Sequence, residues 1–182
     1  MSDLIDKKKN KVKKMRKVRK VDLIEAYTDG SLRRESTGDV CGYGIYFPNK
    51  KLGLNNVKAP FTIEPITNNR AELYAIYRTI KRVRKKYDFD KLIIYSDSEY
   101  SVKSTTEWIV GWKKRNWKNS KRKPVENQDI IKKIDKLLTE HSGKIDIKWV
   151  RAHEGLKGNE EADRLANEGA DLYRSMFVNC AR

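Results

Sequence analysis

Hydrophobic and polar positions along this chain follow two different periods. In the first, apolar residues occupy every second position, which is typical of strands with one buried face. Short apolar runs between polar, glycine-containing loops also indicate strands. The run Leu92, Ile93 and Ile94 is wholly apolar, which is typical of a strand buried on both faces. Five segments are predicted as strands: residues 23–28, 41–47, 51–59, 91–95 and 144–150.

The second period is helical. Residues 71–86 and 127–141 place apolar side chains on one face, at intervals of three and four. Thr67 or Asn68 is available to cap the first of these helices. A further helical stretch follows the fourth strand. A final helix is predicted to begin at an Asn159 cap. The order β-β-β-α-β-α-α-β-α predicts an α/β fold in which helices cover a mixed sheet.

The chain is strongly basic. It holds 41 lysines and arginines against 25 acidic residues, a net charge of +16, which favours nucleic acid or an anionic membrane surface as partner. About half of this charge lies in residues 1–20, which we predict to be a disordered tail before one catalytic domain, residues 21–182. The tail could be a nonspecific nucleic-acid arm, a nuclear-import signal or a passive extension.

Several classes of protein are disfavoured. No apolar run approaches the ~20 residues of a membrane-spanning helix, and no apolar signal core follows the N-terminal charges. We therefore expect a soluble intracellular protein, with cytoplasm or nucleus left open. Cys41 and Cys180 lack the close spacing of zinc and redox motifs, so both are interpreted as reduced structural thiols. Gly38, Gly42 and Gly44 match neither dinucleotide-binding nor P-loop spacing.

Four short polar segments each contribute one carboxylate: Asp29, Glu72, Asp97 and Asp163. Asp29 and Asp97 come just after predicted strands, where open α/β sheets place their ligand crevices. Taken alone, each of the four is better explained as a turn, cap, first-turn or surface residue than as a functional one. If the fold gathers them, however, their repulsion must be neutralised. Carboxylates without a cysteine or histidine cluster suit Mg²⁺ or Mn²⁺.

A basic, indole-rich handle spans residues 111–123. It holds seven lysines and arginines and no acidic residue, interleaved with Trp112 and Trp117. Positive charge combined with aromatic rings is typical of a surface that grips a nucleic-acid backbone. Alternatively, the indoles belong to the core and the lysines are simply solvated. Both interpretations hold if one face of the segment packs while the other binds phosphate.

Five motifs occur in one order over about residues 22–171, and together they make the chain resemble the type 1 ribonuclease H family. They are Thr28-Asp29-Gly30-Ser31, Thr67-Asn68-Asn69-Arg70-Ala71-Glu72-Leu73, Ser96-Asp97-Ser98, the handle, and Val150-Arg151-Ala152-His153-Glu154-Gly155 running into Gly158-Asn159-Glu160-Glu161-Ala162-Asp163-Arg164-Leu165-Ala166. The resemblance implies a mixed five-stranded sheet in the order 3-2-1-4-5, with strand 2 antiparallel and helices on both faces. It also implies endonucleolytic hydrolysis of the RNA strand of RNA/DNA hybrids, with little sequence preference, to 5′-phosphate and 3′-hydroxyl ends.

The same resemblance assigns roles to the carboxylates. Two Mg²⁺ ions, or Mn²⁺, would lie ~3.5–4 Å apart at the scissile phosphate. Asp29 would bridge both ions, Glu72 and Asp97 would hold the ion on the leaving-group side, and Asp163 the ion on the nucleophile side. His153 would be a proton carrier near the attacking water that helps the product leave.

The resemblance also implies contacts with an RNA/DNA hybrid and a monomer without a dedicated protein partner. The handle would grip the DNA strand, Asn68 and Asn69 would face the RNA minor groove and its 2′-hydroxyls, and Thr67 with Asn127 would form a phosphate pocket. The positions implied to bind nucleic acid are Thr67, Asn68, Asn69, Arg70, Tyr100, Trp108, Trp112, Lys113, Lys114, Trp117, Lys118 and Asn127.

Two other functions fit the same residues. A related nuclease, such as a resolvase or integrase, shares acidic two-metal sites, although the handle and the run Asn68-Asn69-Arg70 argue against it. A catalytically silent nucleic-acid-binding module is the alternative from a different class, and it predicts salt-sensitive binding without turnover.

Overall fold

The computed structural model describes residues 18–36, 38–152 and 154–178. The predictions for His153, for Cys180 and for all but the last three residues of the basic tail therefore lie outside the described residues. The strands are β1 (Arg19–Arg33), β2 (Val40–Tyr46), β3 (Val57–Pro60), β4 (Tyr87–Ser96) and β5 (Ile145–Trp149). The helices are α1 (Asn68–Lys86), α2 (Glu99–Thr106), α3 (Trp108–Lys114), α4 (Gln128–Glu140) and α5 (Lys157–Tyr173), and a π-helical turn (Arg174–Val178) follows α5.

The five strands form one mixed sheet in the order β3-β2-β1-β4-β5. β2 is antiparallel to β1 and β3, whereas β1, β4 and β5 run parallel to one another. This arrangement confirms the fold that the sequence predicted. In the parallel pair, Thr28 of β1 lies opposite Ser96, the last residue of β4, and β1 continues beside β2 to Arg33.

Two glycines bring helices close to opposite faces of the sheet. A Cβ atom on Gly30 would lie 2.6 Å from the backbone nitrogen of Glu72 in α1. A Cβ atom on Gly44, which pairs with Asp29, would lie 2.2 Å from the carbonyl oxygen of Ala162 in α5. Neighbouring strand residues point to opposite faces, so α1 and α5 enclose β1 between them. The helices that carry Glu72 and Asp163 are thereby pressed against the strand that carries Asp29.

The core follows the predicted helical faces. Ile76 and Ile80 of α1, together with Ile131 of α4, have no exposed side-chain surface, and α1 packs against α4. Cys41 is buried and forms no disulfide with any described residue, and burial raises the pKa of its thiol to about 12. No helix in the described part of the chain is long and apolar enough to cross a membrane.

The third strand is shorter than its sequence predicts. A 3-10 helix (Lys50–Leu52) occupies the start of the predicted strand, because the Asn49 side chain accepts a hydrogen bond from the Lys51 backbone and caps it. Gly53, at φ 60°, then ends it in the left-handed conformation that glycine adopts without strain. The strand proper is β3, whose only partner is β2. An edge strand of this kind tolerates Pro60.

The first and fourth strands begin earlier than predicted. β1 starts at Arg19, and Arg19 and Lys20, which the sequence assigned to the tail, pair with Tyr87 and Asp88 of β4. The early residues of each strand are held in extended conformation by pairing with the early residues of the other. Polar residues at these positions are tolerated because the side chains of Arg19, Lys20 and Asp88 are solvent-exposed.

Two helices also differ from the prediction. The handle begins inside α3 (Trp108–Lys114), an element that the hydrophobic pattern did not separate from its surroundings. The final helix begins at Lys157 with Leu156 as its cap residue, so the prediction of an Asn159 cap is wrong. Asn159 lies within the first turn, where its side chain is used for a different contact.

Candidate active site

Asp29 and Asp97 emerge side by side from the central strands. Thr28 of β1 pairs with Ser96 of β4, and each aspartate is the next residue in its chain segment. The parallel pairing of β1 with β4 therefore brings together two carboxylates that are 68 positions apart in the sequence. Asp97 follows the end of β4 as predicted, but Asp29 lies inside β1, which continues to Arg33, so the prediction that Asp29 comes after the end of its strand is wrong.

Glu72 completes a close group of three carboxylates. It lies in α1, which Gly30 allows to approach β1. One ligand oxygen from each of Asp29, Glu72 and Asp97 lies within 4.8 Å of the others. Asp29 is 6% exposed and Glu72 is 4% exposed, whereas Asp97 is half-buried. Two of the three residues are therefore largely shielded from water, and Asp97 is the more accessible one.

Burial makes this group electrostatically unfavourable without a cation. The pKa of Asp29 is raised to about 7: burial is the largest cause, the charges of Asp97 and Asp163 add to it, and hydrogen bonds to Glu72 and to the Gly30 backbone oppose it. The pKa of Glu72 is raised well above its ordinary value, first by burial and then by the charge of Asp29. The Glu72 Oε2 atom is buried without a hydrogen-bond partner. These oxygens are disposed to accept a positive ion.

Asp163 stands outside the close group but is tied to the same strand. It is half-buried in α5, and its Oδ1 atom accepts a hydrogen bond from Asn167 Nδ2 at 3.0 Å. Asn167 Oδ1 in turn accepts one from Ser31 Oγ of β1 at 2.8 Å. Ser31 lies two residues after Asp29, so this link fixes Asp163 relative to the three carboxylates. The sequence analysis missed Asn167, whose i,i+4 spacing from Asp163 was the available signal.

Asp97 is held by two further residues that the sequence analysis did not assign to the site. Asn159 Nδ2 donates to Asp97 Oδ2 at 2.8 Å, and Trp149 Nε1 donates to the Asp97 carbonyl oxygen at 3.1 Å. No sequence signal indicates the Trp149 contact, because it depends on β5 lying beside β4. Three of the four predicted carboxylates thus lie within 4.8 Å of one another, and the fourth, Asp163, is close enough for its charge to act on Asp29.

Comparison with known proteins decides the family, because the RNase H family model matches residues 22–171. The chain belongs to the RNase H family. It is 38% identical to a ribonuclease H of Polaromonas sp. over 146 residues, which cover 80% of this chain and 86% of that relative. It is 39% identical to a ribonuclease H of Schizosaccharomyces pombe over 145 residues, 79% of this chain and 52% of that relative.

Solved structures of RNase H domains share the fold. The solution structure of the PFV RNase H domain matches with a TM-score of 0.67 at 24% identity, covering 82% of this chain and 94% of that domain. The foamy viral protease-reverse transcriptase in complex with an RNA/DNA hybrid matches with a TM-score of 0.66 at 22% identity. That match covers 81% of this chain and only 20% of the viral chain.

The two residues predicted as an RNase H phosphate pocket lie on either side of one arginine. Thr67 caps α1, its hydroxyl accepting from the Arg70 backbone at 3.3 Å. Asn127 precedes α4 at φ 56°; its Oδ1 accepts from Arg70 Nη1 at 3.4 Å, and its Nδ2 donates to the Tyr100 hydroxyl at 2.9 Å. The structure therefore links Thr67, Asn127 and Tyr100 through short contacts, and phosphate binding by them stays a prediction.

Arg70, which is predicted to contact nucleic acid, is buried and bonded to protein groups. Its side chain is 4% exposed, and its guanidinium forms two parallel bonds to Asp129, at 2.8 and 2.9 Å. A third bond reaches the Glu64 carbonyl oxygen at 3.2 Å. Because both Nη atoms bond to protein groups, Arg70 is positioned to hold the pocket residues in place, and its direct contact with nucleic acid stays a prediction.

The other predicted contacts divide between surface and core. Asn68 and Asn69 are exposed at the start of α1, one turn before Glu72. Trp108 is 41% exposed, and its ring lies 6.1 Å from that of Tyr100 and 5.9 Å from that of Trp112. The rings of Tyr100, Trp108 and Trp112 therefore form one series of contacts, and nucleic-acid binding by these residues stays a prediction.

Within the handle, both interpretations of the sequence apply. Trp112 and Trp117 are partly buried and pack against the core. Lys113 Nζ is bound to the Asp135 carboxylate at 2.9 Å, whereas Lys114 and Lys118 are exposed. His153 lies outside the described residues, so its role as a proton carrier in this RNase H family member stays a prediction.

Proposed function

We propose that this protein is a divalent-metal-dependent endoribonuclease that hydrolyses the RNA strand of RNA/DNA hybrids. The observation that supports it most strongly is the group formed by Asp29, Glu72 and Asp97. Three carboxylates from three separate elements lie within 4.8 Å in a chain of the RNase H family that carries a net charge of +16. A polyanionic substrate and a cation between the carboxylates both follow from this distribution of charge.

The residues fit divalent ions of the Mg²⁺ or Mn²⁺ type. All the candidate ligands are hard carboxylate oxygens, and one of them, Glu72 Oε2, is buried without a hydrogen-bond partner. We assign Asp29, Glu72 and Asp97 to one ion, and Asp29 with Asp163 to a second. When bound, such ions supply Lewis-acid activation of water and neutralise charge on the leaving oxygen. The expected products carry 5′-phosphate and 3′-hydroxyl ends.

Two surfaces of the chain give the proposed selectivity for hybrids. The exposed amides of Asn68 and Asn69 are suited to bind 2′-hydroxyls of the RNA strand, since an amide both donates and accepts hydrogen bonds. The exposed Trp108 and the cations of the handle are suited to the backbone of the DNA strand. Neither surface is built to distinguish base edges, so little sequence preference is expected.

Two comparisons support nucleic acid as the ligand. Foamy viral protease-reverse transcriptase was solved with an RNA/DNA hybrid and also with double-stranded DNA, and the second match has 25% identity and a TM-score of 0.67. We propose that this protein also binds nucleic acid, because it has both an acidic group and a basic handle of its own.

A cleavage panel tests the proposal. The full chain is incubated with an RNA/DNA hybrid, double-stranded RNA, double-stranded DNA and a four-way junction, with Mg²⁺ or Mn²⁺ and with a chelator. We expect cleavage of the RNA strand of the hybrid alone, dependent on the divalent ion. Cleavage confined to the DNA substrates would instead identify a resolvase- or integrase-like nuclease and overturn the proposal.

A matched pair of variants separates catalysis from binding. Asp29→Asn should abolish cleavage while hybrid binding is retained or strengthened, because a buried negative charge is removed from the site. Asp90→Asn, whose side chain is 52% exposed in β4, removes the same charge at a distance and should cleave normally. Hybrid binding without turnover in the unmodified protein would favour the silent binding module.

A further inference from the structure

A second basic surface lies apart from the handle and the acidic group. A cavity of about 780 Å³ opens between α1 and the part of the sheet formed by β2 and β3. Among the residues that the structure describes, its lining includes six lysines and arginines and no acidic residue. We call it the basic groove, and its six cations are Arg19, Arg78, Lys81, Arg82, Lys85 and Lys86.

The basic groove has charged walls and an apolar floor. Tyr43, Ile45 and Leu54 form the floor and are each less than 5% exposed. Five of the six cations come from α1, at residue 78, residues 81–82 and residues 85–86, so charge recurs at each successive turn. One turn of an α-helix rises 5.4 Å, so the positive charges form a row along the groove.

The charge of this row is not compensated by carboxylates of the described residues. Arg78 donates to the Tyr74 hydroxyl at 3.3 Å, Lys81 Nζ lies 5.6 Å from the Tyr77 ring, and Lys86 Nζ donates to the Gly53 carbonyl oxygen at 2.6 Å. All of these partners are neutral. By contrast Arg84, on the same helix but outside the groove, is paired with Glu140 at 2.6 Å.

The basic groove is separate from the candidate active site. Lys81 follows Glu72 by nine residues, which is two and a half helical turns, so the two side chains leave α1 on opposite sides. Nine residues also displace Lys81 by roughly 13 Å along the helix axis. No residue of the acidic group or of the handle lines the groove.

We propose that the basic groove binds the sugar–phosphate backbone of a single-stranded nucleic-acid segment, distinct from the segment held at the acidic group. A row of uncompensated cations is suited to successive phosphates, which give sequence-independent, salt-sensitive binding. Its volume lies in the range of small-ligand pockets and accommodates a few nucleotides, whereas a duplex would contact only the rim. The buried floor offers no exposed ring for base stacking, so the phosphates dominate recognition.

The test uses the full chain, a chelator to prevent cleavage, and fluorescently labelled oligothymidylate as probe. Lys81→Gln/Lys85→Gln removes two charges from the groove, and Lys133→Gln/Lys136→Gln removes two from exposed positions of α4 as the matched control. We expect the groove variant to lose about tenfold in affinity near 100 mM salt. Each phosphate contact with a single strand contributes ~0.7 to the steepness of log K against log salt. Losing two contacts should therefore make that slope shallower by roughly 1.4. The control should change less than twofold.

A protection experiment locates the bound strand. Acetylation of surface lysines, read by mass spectrometry, should be slowed at Lys81 and Lys85 by saturating oligothymidylate and unchanged at Lys133 and Lys136. Equal affinity losses in both variants, or equal protection of all four lysines, would overturn the proposal in favour of diffuse charge attraction. A larger loss for a blunt duplex than for the single strand would also overturn it. Because no step requires cleavage, these outcomes are independent of the proposed ribonuclease activity.

Discussion

Asn159 Nδ2 donates a hydrogen bond to Asp97 Oδ2 at 2.8 Å, joining the first turn of α5 to the end of β4. Asn159 is 4% exposed, and its Oδ1 atom is buried without a hydrogen-bond partner. An amide in this position fixes the rotation of the Asp97 carboxylate without adding negative charge to the acidic group. Asn159 is therefore a positioning residue for a candidate metal ligand.

Replacing Asn159 with alanine tests this role. The Asp97 carboxylate loses its donor, so we expect affinity for Mn²⁺ to fall by roughly 10- to 100-fold, as for other groups that orient metal ligands. Isothermal titration calorimetry on the substrate-free protein measures the affinity directly. Asn159→Leu, which keeps the size of the side chain but donates no hydrogen bond, should weaken it to a similar extent. Unchanged affinity in both variants would contradict the positioning role.

The acidic group should make the stability of the ion-free protein depend on pH. The pKa of Asp29 is raised from 3.8 to about 7 in the folded state, so its protonated form is the one that folding favours. This contribution is complete below pH 3.8 and is lost as the pH rises through about 7, a change of roughly 4 kcal/mol. Thermal unfolding in a chelator should therefore show Asp29→Asn gaining stability over the unmodified protein between pH 4 and pH 8.

The exposed Asp90→Asn variant serves as the control for this measurement, since its carboxylate lies outside the acidic group. Its difference from the unmodified protein should stay nearly constant over the same range. Adding Mg²⁺ at pH 8 should raise the melting temperature of the unmodified protein and of Asp90→Asn, but not of Asp29→Asn. A pH-independent gain in Asp29→Asn would show that burial does not disfavour its charge.

The ion pair between Arg70 and Asp129 should stabilise the protein more than surface pairs do. Arg70 is 4% exposed and Asp129 is 49% exposed at its side chain. We expect Arg70→Gln to cost roughly 2 kcal/mol, below the 3–5 kcal/mol of fully buried pairs, because water partly solvates Asp129. A double-mutant cycle, measured by urea unfolding, gives the coupling energy of the pair. The surface pair Lys113 and Asp135 is the reference, with an expected coupling energy below about 1 kcal/mol. Equal coupling energies in both pairs would refute this.

Gly30 should be intolerant of any side chain. A Cβ atom there would lie 2.6 Å from the Glu72 nitrogen and 3.0 Å from the Ala71 carbonyl carbon, and both are backbone atoms that only a shift of α1 can move. Gly30→Ala should cost roughly 1–3 kcal/mol in urea unfolding and weaken Mn²⁺ binding by displacing Glu72. Gly111→Ala is the control, because its Cβ would meet only the flexible Arg115 side chain, at 3.1 Å. Similar costs for both variants would disprove the role of close packing.

Local patterns predicted the elements but placed their ends imperfectly. The amphipathic face of α1 is visible in sequence because a 3.6-residue period repeats over five turns. The early starts of β1 and β4 are not, since residues such as Lys20 and Asp88 extend a strand only when a partner strand is beside them. Asn159 shows the same limit, because its type is typical of a helix cap and only the position of Asp97 gives it another partner.

By itself, the sequence determined the family, because the motifs and their order are properties of the chain alone, and through that resemblance it predicted the strand order and the four carboxylates. Tertiary structure decided which three of those carboxylates lie within ligand distance, that Asn159 and Asn167 hold Asp97 and Asp163, and that Arg70 is buried against Asp129. The tertiary structure also forms the basic groove, by placing α1 beside residues of β1, β2 and β3. Distances between residues remote in sequence depend on packing, and no local pattern encodes them.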